Sequence, residues 1–172
     1  MNLEISAPRP TRDTGHDRLA ILRAADRTLI ALADGKGAGP ASRTAAAHTV
    51  DELARCFRSG IFPDNSRDWE MVLEAIDQVV FRDPMAGETS ALVMLVHEDA
   101  VVGASVGDSL AYIVRPEVKP RLLTVHHSSG PAIGTGRARP VGFGPVVLDG
   151  KLITRRAARI GLRSSSSTIA VA

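Results

Sequence analysis

The chain carries a single cysteine, Cys56, in 172 residues. That excludes an internal disulfide framework and a thiolate zinc cluster. Aromatic residues are scarce, with one tryptophan, one tyrosine and four phenylalanines, too few for a row of stacking platforms beneath single-stranded bases. Neither sign of charge is in excess. Lys and Arg number 21 against 19 Asp and Glu, a net charge of +2, which gives no electrostatic footprint for a nucleic-acid partner. The longest apolar run is Ala91–Val96 (ALVMLV), far below the roughly 20 residues that span a bilayer, so no membrane partner is expected. The opening MNLEISAPRPTRD has no apolar segment of the secretory kind, and a cytoplasmic protein is expected. What is present is an ordinary globular composition, 44% hydrophobic and 23% charged with 15 Gly and 10 Pro. It suits one domain over residues 1–172 that buries roughly 70% of its unfolded surface.

Leu19–Leu22 and Thr28–Ala33 are aliphatic runs separated by Ala24-Ala-Asp-Arg27, which reads as two strands around a two-residue turn at Ala25-Asp26. Reversal there pairs Ala24 with Arg27 and, counting outward, sets Asp17 directly opposite Asp34. The Gly-rich segment from Gly35 to Pro40 cannot continue a strand. A helix is predicted from Pro40 to Ser59, with Gly60 as its stop and Ala46, Val50, Leu53, Ala54 and Phe57 as one buried stripe. Pro63-Asp-Asn-Ser66 supplies N-cap chemistry for a second helix reaching Phe81. Trp69, Val72, Leu73, Ile76, Val79 and Val80 form its stripe. Each helix is apolar on one side only, so the pair should lie on a sheet.

The remainder is β-rich. Strands are predicted at Thr89–His97, Val101–Val106, Leu110–Val114, Arg121–Val125 and Val146–Leu148, with a Ser/Gly/Pro-rich connection from Ser128 to Pro145. A strand hairpin, two consecutive helices and then a run of antiparallel strands argue for an α+β fold rather than alternating βαβ units.

The chemistry starts with Asp17 and Asp34. Carboxylates directly opposite on neighbouring strands have Cβ atoms about 4.5–5.5 Å apart and destabilise the pair. A divalent cation between them reverses that sign, and hard oxygen ligands suit Mg²⁺ or Mn²⁺. The same residues also read as an ordinary Asp-Gly turn and an exposed strand end, and spacing by itself leaves both readings open.

Three segments in order carry a resemblance: Leu32-Ala-Asp34-Gly35-Lys-Gly37-Ala-Gly39, Ala86-Gly87-Glu-Thr89-Ser90-Ala91-Leu92 and Val106-Gly107-Asp108-Ser109-Leu-Ala111-Tyr112. They resemble the VADGMGG, GGTTAL and VGDSRAY motifs of the PPM (PP2C-type) metal-dependent protein phosphatases. Leu123-Thr-Val-His-His127-Ser128 resembles that family's LTxDHS, so the likeness spans about residues 12–128. It implies a β-sandwich of two antiparallel sheets flanked by helices (α-β-β-α), incomplete at its C-terminus. It further implies hydrolysis of phosphoserine and phosphothreonine in phosphorylated protein substrates by metal-activated water, at a two-metal Mg²⁺ or Mn²⁺ site. Arg12, five residues before Asp17, would bind the substrate phosphate, for which a guanidinium fork is well suited. Asp17 and Asp34 would be ligands, Gly35 would lend its carbonyl, Asp108 would help hold an additional metal, and Asp149 would be a ligand from the C-terminal motif.

The sequence departs from the family in places. His16 replaces the usual Glu or Gln, Leu110 the Arg after Gly-Asp-Ser, and Lys36 stands where some members have a His acid. Asp149-Gly150 is the one candidate for the family's last Asp-Gly motif, no Asp-Asn pair follows, and the chain ends in Ser164–Ser167 and a short apolar segment. The alternative is therefore a catalytically impaired pseudophosphatase that binds phosphoproteins or a partner. Other candidates carry less. His126 and His127 are adjacent strand residues pointing to opposite faces, which argues against a shared metal. Gly134-Thr-Gly136-Arg137 reads as a mobile loop, and Arg155, Arg156, Arg159 and Arg163 as a solvated basic face. Cys56, Trp69, Met71 and Met94 read as core. Arg155–Ile160 can be encoded as CGA CGG GCT GCT CGA ATA, which one base later reads Asp-Gly-Leu-Leu-Glu. If a frame change explains the divergent end, sequencing the gene will show such a codon string, and a synonymous choice that cannot yield Asp-Gly-Leu ends the idea.

Overall fold

The computed structural model describes residues 4–6, 16–98, 100–115, 118–125, 130–147, 151–155, 160–163 and 168–171. The described strands form two sheets. One has the order β2 (Asp17–Ala24), β3 (Arg27–Lys36), β4 (Glu88–His97), β5 (Ala100–Val106) and β8 (Val141–Val147). The other runs β1 (Glu4–Ser6), β10 (Ile160–Arg163), β11 (Thr168–Val171), β9 (Lys151–Arg155), β6 (Leu110–Arg115) and β7 (Val118–Leu122). Pairing is antiparallel throughout except between β9 and β11, where Ala170 lies opposite Ile153 in a parallel bridge. Helices α1 (Pro40–Arg58) and α2 (Ser66–Phe81) both pack on the five-stranded sheet, α1 over β2, β3 and β4, α2 over β5 and β8. Among the described residues no helix covers the six-stranded sheet.

The pleat sorts the central strands into two cores, because successive side chains point to opposite faces. Leu29, Ala31, Val93 and Leu95 meet Leu53, Phe57, Trp69 and Leu73 of the helices. Ile30, Leu32, Leu92 and Met94 meet Ala111 and Ile113 from the other sheet and Leu123 just past its edge strand. A strand covered on both faces has no reason to alternate, which is why Leu29–Ala33 is a continuous apolar run.

Local chemistry sets the helix limits. Proline at the first position of α1 costs no hydrogen bond there. At its end, Gly60 adopts φ 76°, Gly60 N donates to Phe57 O and Ile61 N to Cys56 O, a Schellman arrangement that satisfies the last carbonyls. Asn65 caps α2 by accepting from Asp68 N at 2.9 Å. The α1 stripe is buried as predicted, as are Trp69, Leu73, Ile76 and Val80. Val79 and Met71 are instead 46% and 54% exposed, because the contact line of α2 over two edge-side strands is narrower than its apolar arc.

Two strands are displaced from their predicted limits. Arg121 and Leu122 do pair, opposite Ile113 and Tyr112, but the strand then stops. Leu123 N turns to Ala111 O and Thr124 Oγ1 takes the Ala111 N–H, so both residues are buried under β6. β8 begins at Val141, earlier than the expected Val146, inside the Gly-rich connection. Gly142 is there because a Cβ would lie 2.6 Å from the Ser66 Cβ, so the glycine that masks the strand also lets α2 approach. Leu148 lies outside the described residues.

The loop expected to be mobile is pinned. Asp77 of α2 is 1% exposed, and its carboxylate accepts from Gly134 N at 2.7 Å, Gly136 N at 3.1 Å and Ala138 N at 2.9 Å. Ile133, next to this latch, exchanges two backbone hydrogen bonds with Thr89 at the start of β4. Asp77→Ala strands three N–H groups and should lower unfolding free energy by about 2–4 kcal/mol in urea titration, with Asp77→Asn, which keeps one acceptor, losing less.

Candidate functional site

The hairpin closes at Ala24 opposite Arg27, and the register runs unbroken to Asp17 opposite Asp34. Across the next ladder Asp34 faces Ser90. Two positions further in, Leu19, Leu32 and Leu92 form the matching apolar row and belong to the core between the sheets. Residues two apart share a face, so Asp17, Asp34 and Ser90 lie on the inter-sheet side, where the sandwich opens. Both carboxylates are half-buried. Like charges held opposite each other in this setting repel, an arrangement that a hard cation converts to attraction.

The backbone after Asp34 is equally constrained. Gly35 is buried, and a Cβ there would lie 2.6 Å from the Ser42 carbonyl oxygen in the first turn of α1. Its N–H donates to His16 O at 3.3 Å, tying the residue before Asp17 to the residue after Asp34. Ser42 Oγ lies 3.0 Å from His16 Nδ1 and donates toward the Gly37 and Gly39 carbonyls at 3.1 and 3.0 Å.

Asp108 stands at the same end of the fold, on the exposed turn between β5 and β6. Its neighbour Ser109 is 2% exposed and shares a hydrogen bond with Ser90 at 3.1 Å, and Ser90 Oγ lies 3.5 Å from Asp34 O. Gly107, at φ 90°, would bring a Cβ to 2.7 Å from the Ser90 Cβ, so the turn fits against β4 only as glycine. The Ser90–Ser109 contact thus connects the Gly-Asp-Ser turn to the Asp34 row.

Sequence reasoning brought Asp17, Asp34, Gly35 and Asp108 to one end of the molecule. It assigned no role to Ser42, Ser90 and Ser109. Ser90 and Ser109 stand inside the quoted motifs, whereas Ser42 and His16 are 26 residues apart with no motif to join them. Among the described residues, no three His, Cys, Asp or Glu side chains converge as a metal cluster; Asp17 and Asp34 are opposed in the β2–β3 register. Arg12, Asp149, His126 and His127 lie outside the described residues. Cys56 is half-buried, and burial pushes its thiol up from the usual range, consistent with an inert side chain.

Two face-to-face sheets, a helix pair on one of them and an acidic row at the mouth of the sandwich define the class, an α+β sandwich of the protein-phosphatase kind. Solved structures with this fold include the serine/threonine phosphatase Stp1 from Staphylococcus aureus, at 18% identity and a TM-score of 0.65 over 95% of this chain and 76% of that one. The S. agalactiae serine/threonine phosphatase matches at 20% identity and a TM-score of 0.66, over 95% and 79%. RsbX in complex with magnesium matches at 13% and 0.59, over 95% and 72%. No protein of curated function matches the chain in sequence. Residues 11–136 match the family described as Protein phosphatase 2C, and the chain belongs to that family.

The electrostatics of the acidic row give a test that needs no substrate. Asp17→Asn removes one of two opposed charges, so it should raise metal-free stability by up to about 1 kcal/mol while reducing any rise in melting temperature on adding Mn²⁺. Thermal melts with and without Mn²⁺ read both signs.

Proposed function

We propose that this protein is a serine/threonine protein phosphatase that hydrolyses phosphoserine and phosphothreonine in protein substrates in the cytoplasm. The observation that carries the proposal is the Asp17–Asp34 pair, held opposite each other on the inter-sheet face in a member of the Protein phosphatase 2C family. The donors fit a hard divalent cation: two carboxylates, the Gly35 carbonyl and water, with Asp108 at the same end. Mg²⁺ or Mn²⁺ held there supplies Lewis acidity and lowers the pKa of water, so that water serves as nucleophile. Asp17 and Asp34 supply the negative charge that retains the cation. Arg12, five residues ahead of Asp17, is assigned to the phosphate, where a bidentate guanidinium matches two oxygens. No side chain is required as a covalent nucleophile.

A second reading has specific support. β9 runs from Lys151 opposite Val114 to Arg155 opposite Leu110. The Arg155 end of the β9 backbone is therefore the one beside the Asp108 turn, and the Lys151 end is paired away from it. Among the described residues, Asp17 and Asp34 are the acids opposed in register, and no group of three His, Cys, Asp or Glu side chains converges. That favours slow turnover or a pseudophosphatase that binds phosphoproteins.

Hydrolysis of an aryl phosphate and a phosphothreonine peptide under Mn²⁺ titration separates the readings. Mn²⁺-dependent turnover that Asp34→Ala reduces by at least about 100-fold is expected for the phosphatase. Mn²⁺ stabilisation without turnover identifies the binding module, and no response in either measurement sinks the metal site.

A further inference from the structure

We propose that His16 and Ser42 form a positioning pair that holds the two halves of the candidate site together, an inference that rests on the metal-site reading of Asp17 and Asp34. Ser42 is 4% exposed, and its hydroxyl has three polar neighbours: His16 Nδ1 at 3.0 Å, Gly37 O at 3.1 Å and Gly39 O at 3.0 Å. A hydroxyl owns one proton, and carbonyls only accept. If the proton went to His16, two carbonyl oxygens would face the Ser42 oxygen with no hydrogen between them. The arrangement that satisfies all four groups has His16 Nδ1–H donating to Ser42 Oγ, while the Ser42 proton is shared by the Gly37 and Gly39 carbonyls.

The consequence falls on the acids. His16 precedes Asp17 directly, and its carbonyl accepts the Gly35 N–H at 3.3 Å. Gly37 and Gly39 have φ of 88° and 135°, conformations that glycine adopts freely and that need an external hold. Gly39 caps α1 with no side-chain hydrogen bond of its own. Ser42 supplies that hold, because one oxygen fixes two carbonyls of the loop and, through His16, the start of β2. Asp17 and Asp34 sit on the two segments this hydroxyl joins. His16 and Ser42 are thus partners of each other, acting on metal affinity through backbone placement and not as ligands.

The test uses the full chain with labelled histidine. Long-range proton–nitrogen spectra should show His16 as the Nδ1–H tautomer in the wild type and as the ordinary Nε2–H form in Ser42→Ala. In Mn²⁺ thermal-shift titrations, His16→Ala, His16→Gln and Ser42→Ala should each weaken Mn²⁺ binding by roughly tenfold. His16→Asn places an amide N–H where Nδ1–H stood and should stay within about twofold of wild type, and the double variant His16→Ala/Ser42→Ala should be no weaker than either single. An Nε2–H tautomer in the wild type overturns the pair. So does wild-type affinity in the alanine variants, or a His16→Asn as weak as His16→Ala. A wild type with no Mn²⁺ response overturns the metal reading. The pair is then decided by the tautomer and by Gly35 amide exchange, expected about tenfold faster in Ser42→Ala, with equal rates overturning it.

Discussion

The turn at Ala25-Asp26 fixes which residue of β2 faces which residue of β3, and a slip of one position would send Asp17 to the helix-covered face. Ala25 pays for the tight reversal with φ 24°, a left-handed value that alanine rarely adopts. Side chains around the turn hold it. His97 Nε2 lies 2.7 Å from Asp26 Oδ2, and that hydrogen bond, first among several contacts, keeps the Asp26 carboxyl below its usual range. Arg27 sits 4.8 Å from the centre of the Phe62 ring. His97 is itself opposite Arg27 on β4, so one small cluster sets the register of both ladders that meet at Asp34. The acids lie about 24 Å from it at the far end of the strands, and their alignment is a consequence of pairing begun at the turn.

Register brings the acids together, but close backbone approach shapes the ground around them. Gly35 lies against the Ser42 carbonyl, Gly87 N donates to Ala41 O at 2.8 Å, and Gly107 fits against Ser90. At Gly35 and Gly107 a loop comes within a distance that a Cβ would forbid, and at Gly87 a Cβ would be tight. The first turn of α1 thereby becomes part of the site's wall, although its buried stripe points at Leu29 and Ala31. Asp77 adds the same kind of tie from α2, through Ile133 to the start of β4. The helices act on the site through main-chain contacts at their ends, while their apolar faces stabilise the sheet that carries it.

What the sequence made legible follows from how local each cause is. The hairpin register, the α1 stripe, Gly60 and the Asn65 cap are each written within a few residues, and each is found. The limits of β7 and β8 are decided by tertiary partners, by the Ala111 hydrogen bonds in one case and by packing against Ser66 in the other. No local pattern encodes either. The 134–138 loop illustrates the limit most clearly: glycines read as freedom, yet a carboxylate 57 residues away holds Gly134. At the acidic row, motifs singled out Gly35 and Asp108, and the opposition of Asp17 and Asp34 was legible because a local register sets it. His16–Ser42 was not, since a departure from the family at residue 16 carries no sign of the partner that answers it.

The two sheets contribute unequally to the acidic row. Asp17, Asp34 and Ser90 come from adjacent strands of the five-stranded sheet, fixed by continuous ladders. From the other side come the Asp108 turn and the β6–β9 ladder, in which Arg155 lies opposite Leu110. A cation held between carboxylates gains from each further acid and loses to each nearby positive charge, over distances up to the roughly 8–10 Å at which salt screens them. Among the described residues the second sheet brings one acid-bearing turn, at Asp108, to that end. The opposed acids among the described residues belong to the first sheet. How rigidly that pair is held depends on the glycine contacts and on the Ser42 hydroxyl that fix the backbone around it.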